Sequence, residues 1–390
     1  MAMASKLLVC GLLTLAAVAG LSGIDLVLPA VPFLPQALGG GTALAQFVLA
    51  AYVVGAACGL LLYGSLGVHF GRRRCLAWGL VAYGLSSWLA TLAPDMSVLV
   101  GIRFLQGVAS SAPAVFAPGI IRAMFSERGA TRAIGALASV ESLTPGAAPL
   151  LGLWLLELGG WRSSFWAIAA LALALGLVLH LGRDRLPPPS GIGRQGSYAR
   201  LLRRPAFLRY AWSQAFTLGG VLVFVFGAPA VIVHAMDGSV ADFAWMQAVG
   251  VGCFILASNA TGFAVERWGA EAVIWSGSLI AALGAAGILL FALFAAGDSF
   301  WLVLLFAPVN AGLGLRGPPG FLQAIIAGEG DDDRAASLTV LAILAVAAVA
   351  TALVAPWIAA GLPLLAGAAF LLHLASLLCL ALLPVRPGTG

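Results

Sequence analysis

The chain has 390 residues, of which 62% are hydrophobic and only 9% are charged. A water-soluble domain carries about 25% charged residues, so this composition excludes a soluble enzyme and indicates a protein whose main solvent is lipid. The formal net charge of +5 is concentrated in short polar segments, and we interpret it as a topology signal and not as a nucleic-acid surface.

Apolar stretches long enough to cross a bilayer as helices, about 20 residues each, recur along the whole chain. We predict twelve spans, at residues 6–36, 44–68, 75–93, 96–123, 133–158, 162–182, 208–235, 241–265, 271–294, 298–325, 335–360 and 362–384. The first span is too long for a signal peptide and eleven others follow it, so we expect it to be retained. The runs are continuous and do not alternate, which favours helices over a membrane β-barrel.

The basic residues between these spans predict the orientation of the chain. Seventeen of the 20 Lys and Arg residues fall on one side of the predicted spans, only Arg162 falls on the other, and Arg103 and Arg316 lie inside spans. Because cytoplasmic loops are enriched in Lys and Arg, both termini are expected in the cytoplasm of a bacterial-type inner membrane. The five cysteines lack CxxC spacing and are interpreted as packing residues.

A basic, Pro- and Gly-rich segment at residues 183–207 separates two halves, 1–182 and 208–390. Three short matches relate the halves at offsets of 200, 198 and 201 positions: Leu28–Val31 with Ala228–Val231, Gly64 and Gly71 with Gly262 and Gly269, and Pro118–Gly119 with Pro319–Gly320. We therefore predict a duplicated six-helix unit joined by a cytoplasmic linker. Parallel halves of this kind are a recurring transporter architecture, with the substrate site between them near the midplane.

Four motifs in the first half resemble those of a known transporter family. They are the loop segment from Gly64 to Arg73, the Arg-Phe-Leu-Gln-Gly sequence from Arg103 to Gly107, the segment from Pro145 to Gly152, and the segment from Ile24 to Pro32. Together they resemble the major facilitator superfamily, and within it the Bcr/CflA branch of drug:proton antiporters. The resemblance implies an all-α membrane protein with twelve transmembrane helices in two pseudo-symmetric halves, and proton-coupled transport.

The loop motif departs from the family pattern, in which an Asp is followed by an Arg, because Val68 and His69 occupy these positions. The resemblance implies a cytoplasmic gate formed by Gly64, Gly71, Arg72 and Arg73 in the first half and by Glu266 and Arg267 in the second. Since the acidic residue is missing from the first copy, we expect the second copy to carry more of the latch. The acidic run Asp331–Asp333 is interpreted as a solvated loop and not as a metal site.

Charged residues inside the spans are the strongest functional candidates, because each costs about 2.5–3.5 kcal/mol at a helix centre. Asp25 and Glu141 are candidate proton carriers, and Arg103 is a candidate modulator of the proton site. The alternatives are a static ion pair for Asp25, a structural role for Glu141, and a structural tie from Arg103 to carbonyl groups of the first span. Arg316 suggests an anionic or zwitterionic cargo, although it could instead cap carbonyls of a helix broken by the surrounding Pro and Gly residues.

Six further polar or aromatic residues could line an apolar substrate cavity, although each could equally serve packing or interhelical hydrogen bonding. They are Gln46, Tyr52, Trp212, Gln214, Asn259 and Asn310. No sequence pattern for a metal, a cofactor or a phosphate loop is present.

The sequence therefore predicts a non-enzymatic, proton-coupled efflux antiporter that acts on a small organic molecule by alternating access, functional as a monomer in the lipid bilayer. Its expected partners are the small-molecule substrate and protons, with no nucleic acid. The first alternative is a proton-coupled carrier or symporter of an organic anion or metabolite, which Arg316 favours. The second is a membrane sensor or assembly protein that transports nothing.

Overall fold

The computed structural model describes residues 3–182, 197–295 and 297–384, and these residues are almost entirely helical, with no β-strand among them. They form twelve helical segments. The segments are α1 (Met3–Asp25) with a 3-10 helix (Leu28–Phe33) and α2 (Leu34–Leu38); α3 (Thr42–Phe70); α4 (Arg72–Ala90); α5 (Met96–Ser110) with α6 (Ala112–Met124); α7 (Glu127–Glu141) with α8 (Thr144–Gly159); α9 (Arg162–Leu181); α11 (Pro205–Ala235), preceded by the short α10 (Tyr198–Leu201); α12 (Val240–Trp268); α13 (Ala270–Phe294); α14 (Trp301–Ala327); α15 (Asp332–Val354) with a 3-10 helix (Ala355–Ala360); and α16 (Leu362–Leu382).

These segments match the predicted spans to within three residues at every end but one. The fifth segment begins at Glu127 instead of residue 133, because its first turns are polar and hydropathy detects only the apolar part of a helix. Nine of the segments are long and apolar enough to cross a membrane. The other three are α4, which begins with three arginines, the interrupted pair α7–α8, and α14, which is rich in Pro and Gly.

Two of the segments are interrupted beside a candidate carboxylate. Helix α1 ends at Asp25, before a 3-10 helix that contains Pro29 and Pro32. Helix α7 ends at Glu141, and α8 begins three residues later with Pro145 in its first turn. Proline lacks an N–H group and constrains the residue before it, so it favours a helix end at these points. Both carboxylates therefore lie where the regular backbone stops.

Helix α14 is continuous through Arg316, which excludes the alternative of a helix broken by the surrounding Pro and Gly residues. Pro318 and Pro319 cannot donate hydrogen bonds to the carbonyl groups of Gly314 and Leu315, four residues earlier. The hydroxyl group of Thr261 on α12 lies 3.3 Å from each of these two carbonyl oxygens and 2.9 Å from that of Ala257 in its own helix. Its single proton serves one acceptor at a time, so a neighbouring helix offers a shared donor at the point where the prolines lack one.

Contacts divide the chain into two compact units. The first unit comprises Met1–Met124, Val140–Gly196 and Gly330–Ser337, and the second comprises Phe125–Ser139, Ser197–Glu329 and Leu338–Gly390. The start of α7 therefore belongs to the second unit and the start of α15 to the first. The assignment of residues 1–182 and 208–390 to two pseudo-symmetric halves stays a prediction, and most of the predicted linker, residues 183–196, lies outside the described residues.

Glycines bring the central helices of each unit together. In the first unit, a Cβ atom on Gly55 of α3 would collide with the backbone of Phe104, and one on Gly107 of α5 would collide with the backbone of Tyr52. Helices α3 and α5 therefore touch backbone to backbone. In the second unit Gly314 of α14 approaches the carbonyl oxygen of Phe254 on α12 in the same way. Small residues are the usual means of close helix packing in lipid, where no hydrophobic force drives helices together. These contacts fix the helices that carry Arg103 and Arg316.

Candidate functional site

Arg103 is completely buried on α5 in the first unit. Its Nε donates to the carbonyl oxygen of Val48 at 3.0 Å, and its Nη1 donates to Oε1 of Gln106 at 2.6 Å. The guanidinium group lies 4.3 Å from the centre of the Tyr52 ring and 5.8 Å from that of Phe165. Cation–π contacts of this kind partly replace the hydration that a buried cation loses. The carbonyl tie therefore goes to α3, in the second span, and not to the first span as the structural alternative assumed.

The first span instead accepts hydrogen bonds from two buried tyrosines. Tyr52 donates to the carbonyl oxygen of Gly20 at 2.6 Å, and Tyr83 donates to that of Ala19 at 2.9 Å. Gly23 lacks a side chain where these two hydroxyl groups meet α1. The tyrosines thus fix the last turns of α1, which end at Asp25.

Asp25 is half-buried, and its carboxylate forms no hydrogen bond or ion pair with the described residues. Tyr52 connects the helix of Asp25 to Arg103, because its hydroxyl group donates to Gly20 on α1, the helix that ends at Asp25, and its ring contacts the Arg103 guanidinium group. We call Asp25, Tyr52 and Arg103 the Asp25 group. A half-buried carboxylate without a fixed partner can exchange a proton when its surroundings change.

Glu141 is also half-buried and has no hydrogen bond or ion pair within the described part of the chain. It is the last residue of α7, and the helix is interrupted directly after it. Its role in proton coupling stays a prediction.

Arg316 is completely buried on α14 in the second unit. Its Nη1 donates to the carbonyl oxygen of Ser213 and to Oγ1 of Thr217, both at 2.6 Å, and lies 3.5 Å from Oγ of Ser376. Its Nε and Nη2 atoms are buried and have no partner among the described residues. Arg316 therefore contacts a carbonyl on α11 and hydroxyl groups on α11 and α16, and it does not cap carbonyls of its own helix.

The six cavity candidates fall into different environments. Tyr52 belongs to the Asp25 group, and Gln214 is buried beside Arg316 with an unpartnered Oε1 atom. Asn310 is buried and donates to the carbonyl oxygen of Phe306 in its own helix. The other three are exposed: Gln46, Trp212, which stacks on Phe216, and Asn259, which donates to Ser139. Two of the six candidates, Tyr52 and Gln214, therefore lie beside a buried arginine.

The gate motif of the first half forms a cluster of ion pairs, here called the first ion cluster, made of Arg72, Arg122, Asp332 and Asp333. Arg72 pairs with Asp333 at 2.5 Å and with Asp332 at 3.1 Å, and Arg122 pairs with Asp332. A Cβ atom on Gly67 would lie 2.6 Å from Oδ2 of Asp333, so the missing side chain makes room for it. The expectation that Asp331–Asp333 form a solvated loop is wrong, because Asp332 and Asp333 are buried at the start of α15.

The second copy of the motif forms a more exposed cluster, here called the second ion cluster. Glu266 pairs with Arg128, and these side chains are 45% and 40% exposed. Glu127, next to Arg128 on α7, accepts a hydrogen bond from Gln323 on α14, while Arg267 is exposed. The charges are reversed relative to the first ion cluster, since here the motif supplies the acidic residue, Glu266, and the facing helix supplies Arg128. The larger and more buried cluster therefore lies at the first copy of the motif, whereas the sequence predicts that the second copy carries more of the latch.

Several residues of these sites were missed from the sequence. Gln106 lies inside the Arg103–Gly107 motif and could have been identified as the partner of Arg103 from its i,i+3 spacing. Tyr83, Ser213, Thr217 and Ser376 are ordinary residues in apolar spans, and only tertiary structure shows that they face a buried arginine. His373, buried on α16, was missed for the same reason.

Comparison with known proteins places the chain in a family. The model of the Major Facilitator Superfamily matches residues 12–327. The chain belongs to the major facilitator superfamily. Two solved structures share its fold: the fucose:proton symporter FucP of E. coli, with a TM-score of 0.75 at 18% identity over 97% of this chain and 98% of that one, and the proton:xylose symporter XylE, with a TM-score of 0.77 at 14% identity over 98% and 97%. At these identities they show the fold alone.

Curated relatives are more similar in sequence over shorter stretches. The uncharacterized transporter YdgK of Bacillus subtilis is 31% identical over 57% of this chain and 58% of its own length, and a chloramphenicol resistance protein of Pseudomonas aeruginosa is 30% identical over 65% and 61%. A bicyclomycin resistance protein homolog of Haemophilus influenzae is 25% identical over 72% and 71%. The matched part of the chain thus spans about three fifths of the first two relatives. The major facilitator superfamily, to which this chain belongs, is a family of carriers and not of enzymes.

Proposed function

We propose that this protein is a secondary active transporter of the bacterial inner membrane that exports small organic molecules in exchange for protons by alternating access. It would act as a monomer with both termini in the cytoplasm. Two of the relatives are named for resistance to chloramphenicol and bicyclomycin, which supports a small organic cargo and the outward direction.

The observation that carries the proposal is the Asp25 group. A carboxylate at a helix end inside an apolar span is costly, and here it has no fixed partner among the described residues, while Tyr52 connects its helix to the buried cation Arg103. Such a carboxylate can bind a proton when its surroundings become less polar and release it when they become more polar or more positively charged. Proton occupancy at Asp25 would then depend on whether cargo occupies the cavity.

The first ion cluster supports a gate that opens and closes during the cycle. Arg72 and Asp333 come from sequence positions 261 residues apart, so their contact joins the α3–α4 turn to the start of α15. Breaking buried ion pairs costs several kcal/mol unless new partners replace them. The cluster would therefore stabilise one state of the cycle, and the exposed second ion cluster would contribute less.

A second candidate function is a proton-coupled carrier or symporter of an organic anion, which Arg316 favours because a buried cation attracts negatively charged cargo. A membrane sensor that transports nothing is the candidate of another class. The unpartnered intramembrane carboxylates Asp25 and Glu141 argue against it, since a protein that moves no protons would gain little from retaining them.

The proposal is tested by measuring the internal pH of proteoliposomes that contain the full chain and hold an imposed proton gradient. A panel of cationic, neutral and anionic compounds is added, and we expect at least one cationic or neutral lipophile to dissipate the gradient in wild-type vesicles and not in vesicles without protein. A response restricted to anions would favour the organic-anion carrier. Binding of a compound without any proton movement would favour the sensor.

A further inference from the structure

Arg316 lies in surroundings that contain no compensating negative charge. The groups that face it come from three helices: Ser213, Gln214 and Thr217 on α11, Gly277 on α13, and His373, Ser376 and Cys379 on α16. None of these carries a carboxylate. The second unit's described ion pairs, such as Arg209 with Glu271, lie at helix ends. The charge of Arg316 is therefore left uncompensated in the described structure.

The hydrogen bonds of Arg316 are also only partly made. Its Nη1 has three oxygen neighbours, but Nε and Nη2 donate to no atom of the described chain. A guanidinium group presents its N–H donors in a fork that matches the two oxygens of a carboxylate. A bound water could accept from one of these donors, but it would leave the charge uncompensated.

Gln214 adds a second unpartnered polar group at the same place. A Cβ atom on Gly320 would lie 2.8 Å from Nη2 of Arg316 and 3.0 Å from Oε1 of Gln214. A Cβ atom on Gly317, one turn earlier, would meet only Nε2 of Gln214, at 4.0 Å. The two glycines thus leave a groove on α14, which the Gln214 amide and the Arg316 guanidinium group occupy. Two unpartnered nitrogens of Arg316 and the unpartnered Oε1 of Gln214 are buried together there.

The Gln214 amide can turn to suit a ligand. Its oxygen and nitrogen exchange places by a half-rotation of the amide, and their assignment follows from the hydrogen-bond network. With Nε2 turned toward Gly320, the groove would present donors from both Gln214 and Arg316. Oxygen atoms that carry negative charge satisfy all of these donors and compensate the cation at once.

From this geometry we infer that Arg316 and Gln214, in the Gly317–Gly320 groove, bind the carboxylate of an anionic or zwitterionic cargo. The inference rests on the proposed transport function and, within it, favours the organic-anion candidate. Arg316 supplies the charge and the fork of donors, Gln214 supplies a rotatable amide, and Gly320 leaves room for both side chains. A lipophilic cation without an acidic group would bind elsewhere or weakly.

The test measures binding without a proton gradient, so that its result does not depend on transport. The purified full chain in lipid nanodiscs is titrated, in chloride-free buffer, with benzoate, with its neutral analogue benzamide, and with chloride. The rise in the thermal unfolding midpoint with ligand concentration gives each apparent Kd. The variants are Arg316→Ala, Gly320→Ala and, as a matched control for the loss of a buried arginine of the same unit, Arg209→Ala, which removes the ion pair with Glu271.

We expect wild-type protein to bind benzoate at least tenfold more tightly than benzamide, because charge-assisted hydrogen bonds are about twice as strong as neutral ones. Arg316→Ala should abolish this preference and Arg209→Ala should retain it. Gly320→Ala keeps the arginine but fills the groove, so it should also lose the preference even if Arg316→Ala does not fold. Equal binding of benzoate and benzamide by wild-type protein, or a preference that survives Arg316→Ala, would overturn the inference. Chloride binding as tight as benzoate binding would overturn the carboxylate assignment in favour of an inorganic anion.

Failure of this inference is distinct from failure of the proposed function. A protein that dissipates a proton gradient with neutral lipophiles but shows no benzoate preference would keep the transport function and lose the carboxylate site. A protein that prefers benzoate through Arg316 but moves no protons would keep the site and lose the proposed coupling.

Discussion

Arg103 and Arg316 are both buried cations in apolar spans, and their surroundings differ. Each is completely buried, one on α5 in the first unit and one on α14 in the second. Arg103 lies against two aromatic rings, and one of them, Tyr52, also bonds to the helix that ends at the half-buried Asp25. Arg316 donates to carbonyl and hydroxyl oxygens, and two of its nitrogens lack described partners, compared with one nitrogen of Arg103.

The difference indicates a division of roles. The first unit contains a buried cation that Tyr52 connects to the helix of an unpartnered carboxylate, Asp25, which can bind a proton without any ligand. The second unit contains a cation that needs a negative charge from outside the chain. We therefore assign proton coupling to the Asp25 group and recognition of cargo to Arg316, and the variants below test this contrast from the largest expected effect to the smallest.

Asp25→Asn should have the largest effect on transport. The amide cannot release a proton, so uphill, gradient-driven transport should fall at least about 100-fold, while exchange of labelled for unlabelled cargo in the absence of a gradient should continue. Glu141→Gln removes the other intramembrane carboxylate, which lies outside the Asp25 group, and should reduce gradient-driven transport far less. The opposite ranking of the two variants would transfer the coupling role to Glu141.

Replacing Arg103 should affect stability as well as transport. Arg103→Ala leaves Gln106 and the Val48 carbonyl group without their charged donor and removes the cation from the Tyr52 ring. Hydrogen bonds to charged groups contribute about 1.5–3 kcal/mol each, so the free energy of unfolding should fall by about 3 kcal/mol. Arg103→Lys should rescue only part of this loss, because lysine lacks the planar fork. A full rescue in thermal unfolding would show that charge alone matters.

The two ion clusters offer a contrast in burial with similar chemistry. Asp333→Asn removes a charge that is buried against Arg72 and should lower the free energy of unfolding by about 3 kcal/mol. Glu266→Gln removes a charge from a pair that is nearly half exposed, and should cost less than about 1 kcal/mol because solvent screens it. High salt should reduce the second effect more than the first. Equal costs at low salt would contradict the difference in burial.

The smallest expected effect concerns the helix that carries Arg316. Thr261→Val keeps the shape of the side chain but removes the hydroxyl donor to the Gly314 and Leu315 carbonyl groups, which should cost about 1 kcal/mol. Ser278→Ala is a matched control, because Ser278 bonds only to Ile274 in its own helix. No difference between the two variants in thermal unfolding would argue against a specific role of Thr261.

Much of the fold could be predicted from sequence because lipid imposes one strong rule. Apolar stretches must be helical and long enough to cross the bilayer, so hydropathy located all twelve segments. The interruption after Asp25 was not predicted, although Pro29 and Pro32 explain it once the structure is known. The rule fails at polar extensions such as the start of α7, which hydropathy cannot distinguish from a loop. It also could not show that α14 remains continuous, because the donor that compensates Pro318 and Pro319 is Thr261 on another helix.

The candidate site was predicted only in part. Buried charge is costly, so Asp25, Arg103 and Arg316 were evident from their positions in apolar spans. Their partners were not, since Tyr83, Thr217 and Ser376 are neutral residues whose role depends on packing. The ion partners of the gate motif were missed for a related reason. Asp332 and Asp333 look like solvated loop residues in sequence, and only the fold brings them to Arg72.

The central claim, that Asp25 carries the coupled proton, is tested most directly by proton release from the purified protein. The full chain is placed in weakly buffered detergent solution with a pH indicator, and a cargo identified in the proteoliposome panel is added. We expect wild-type protein to release protons in proportion to cargo bound and Asp25→Asn to bind the cargo without release. Equal release from both proteins would show that another group carries the proton and would contradict this account.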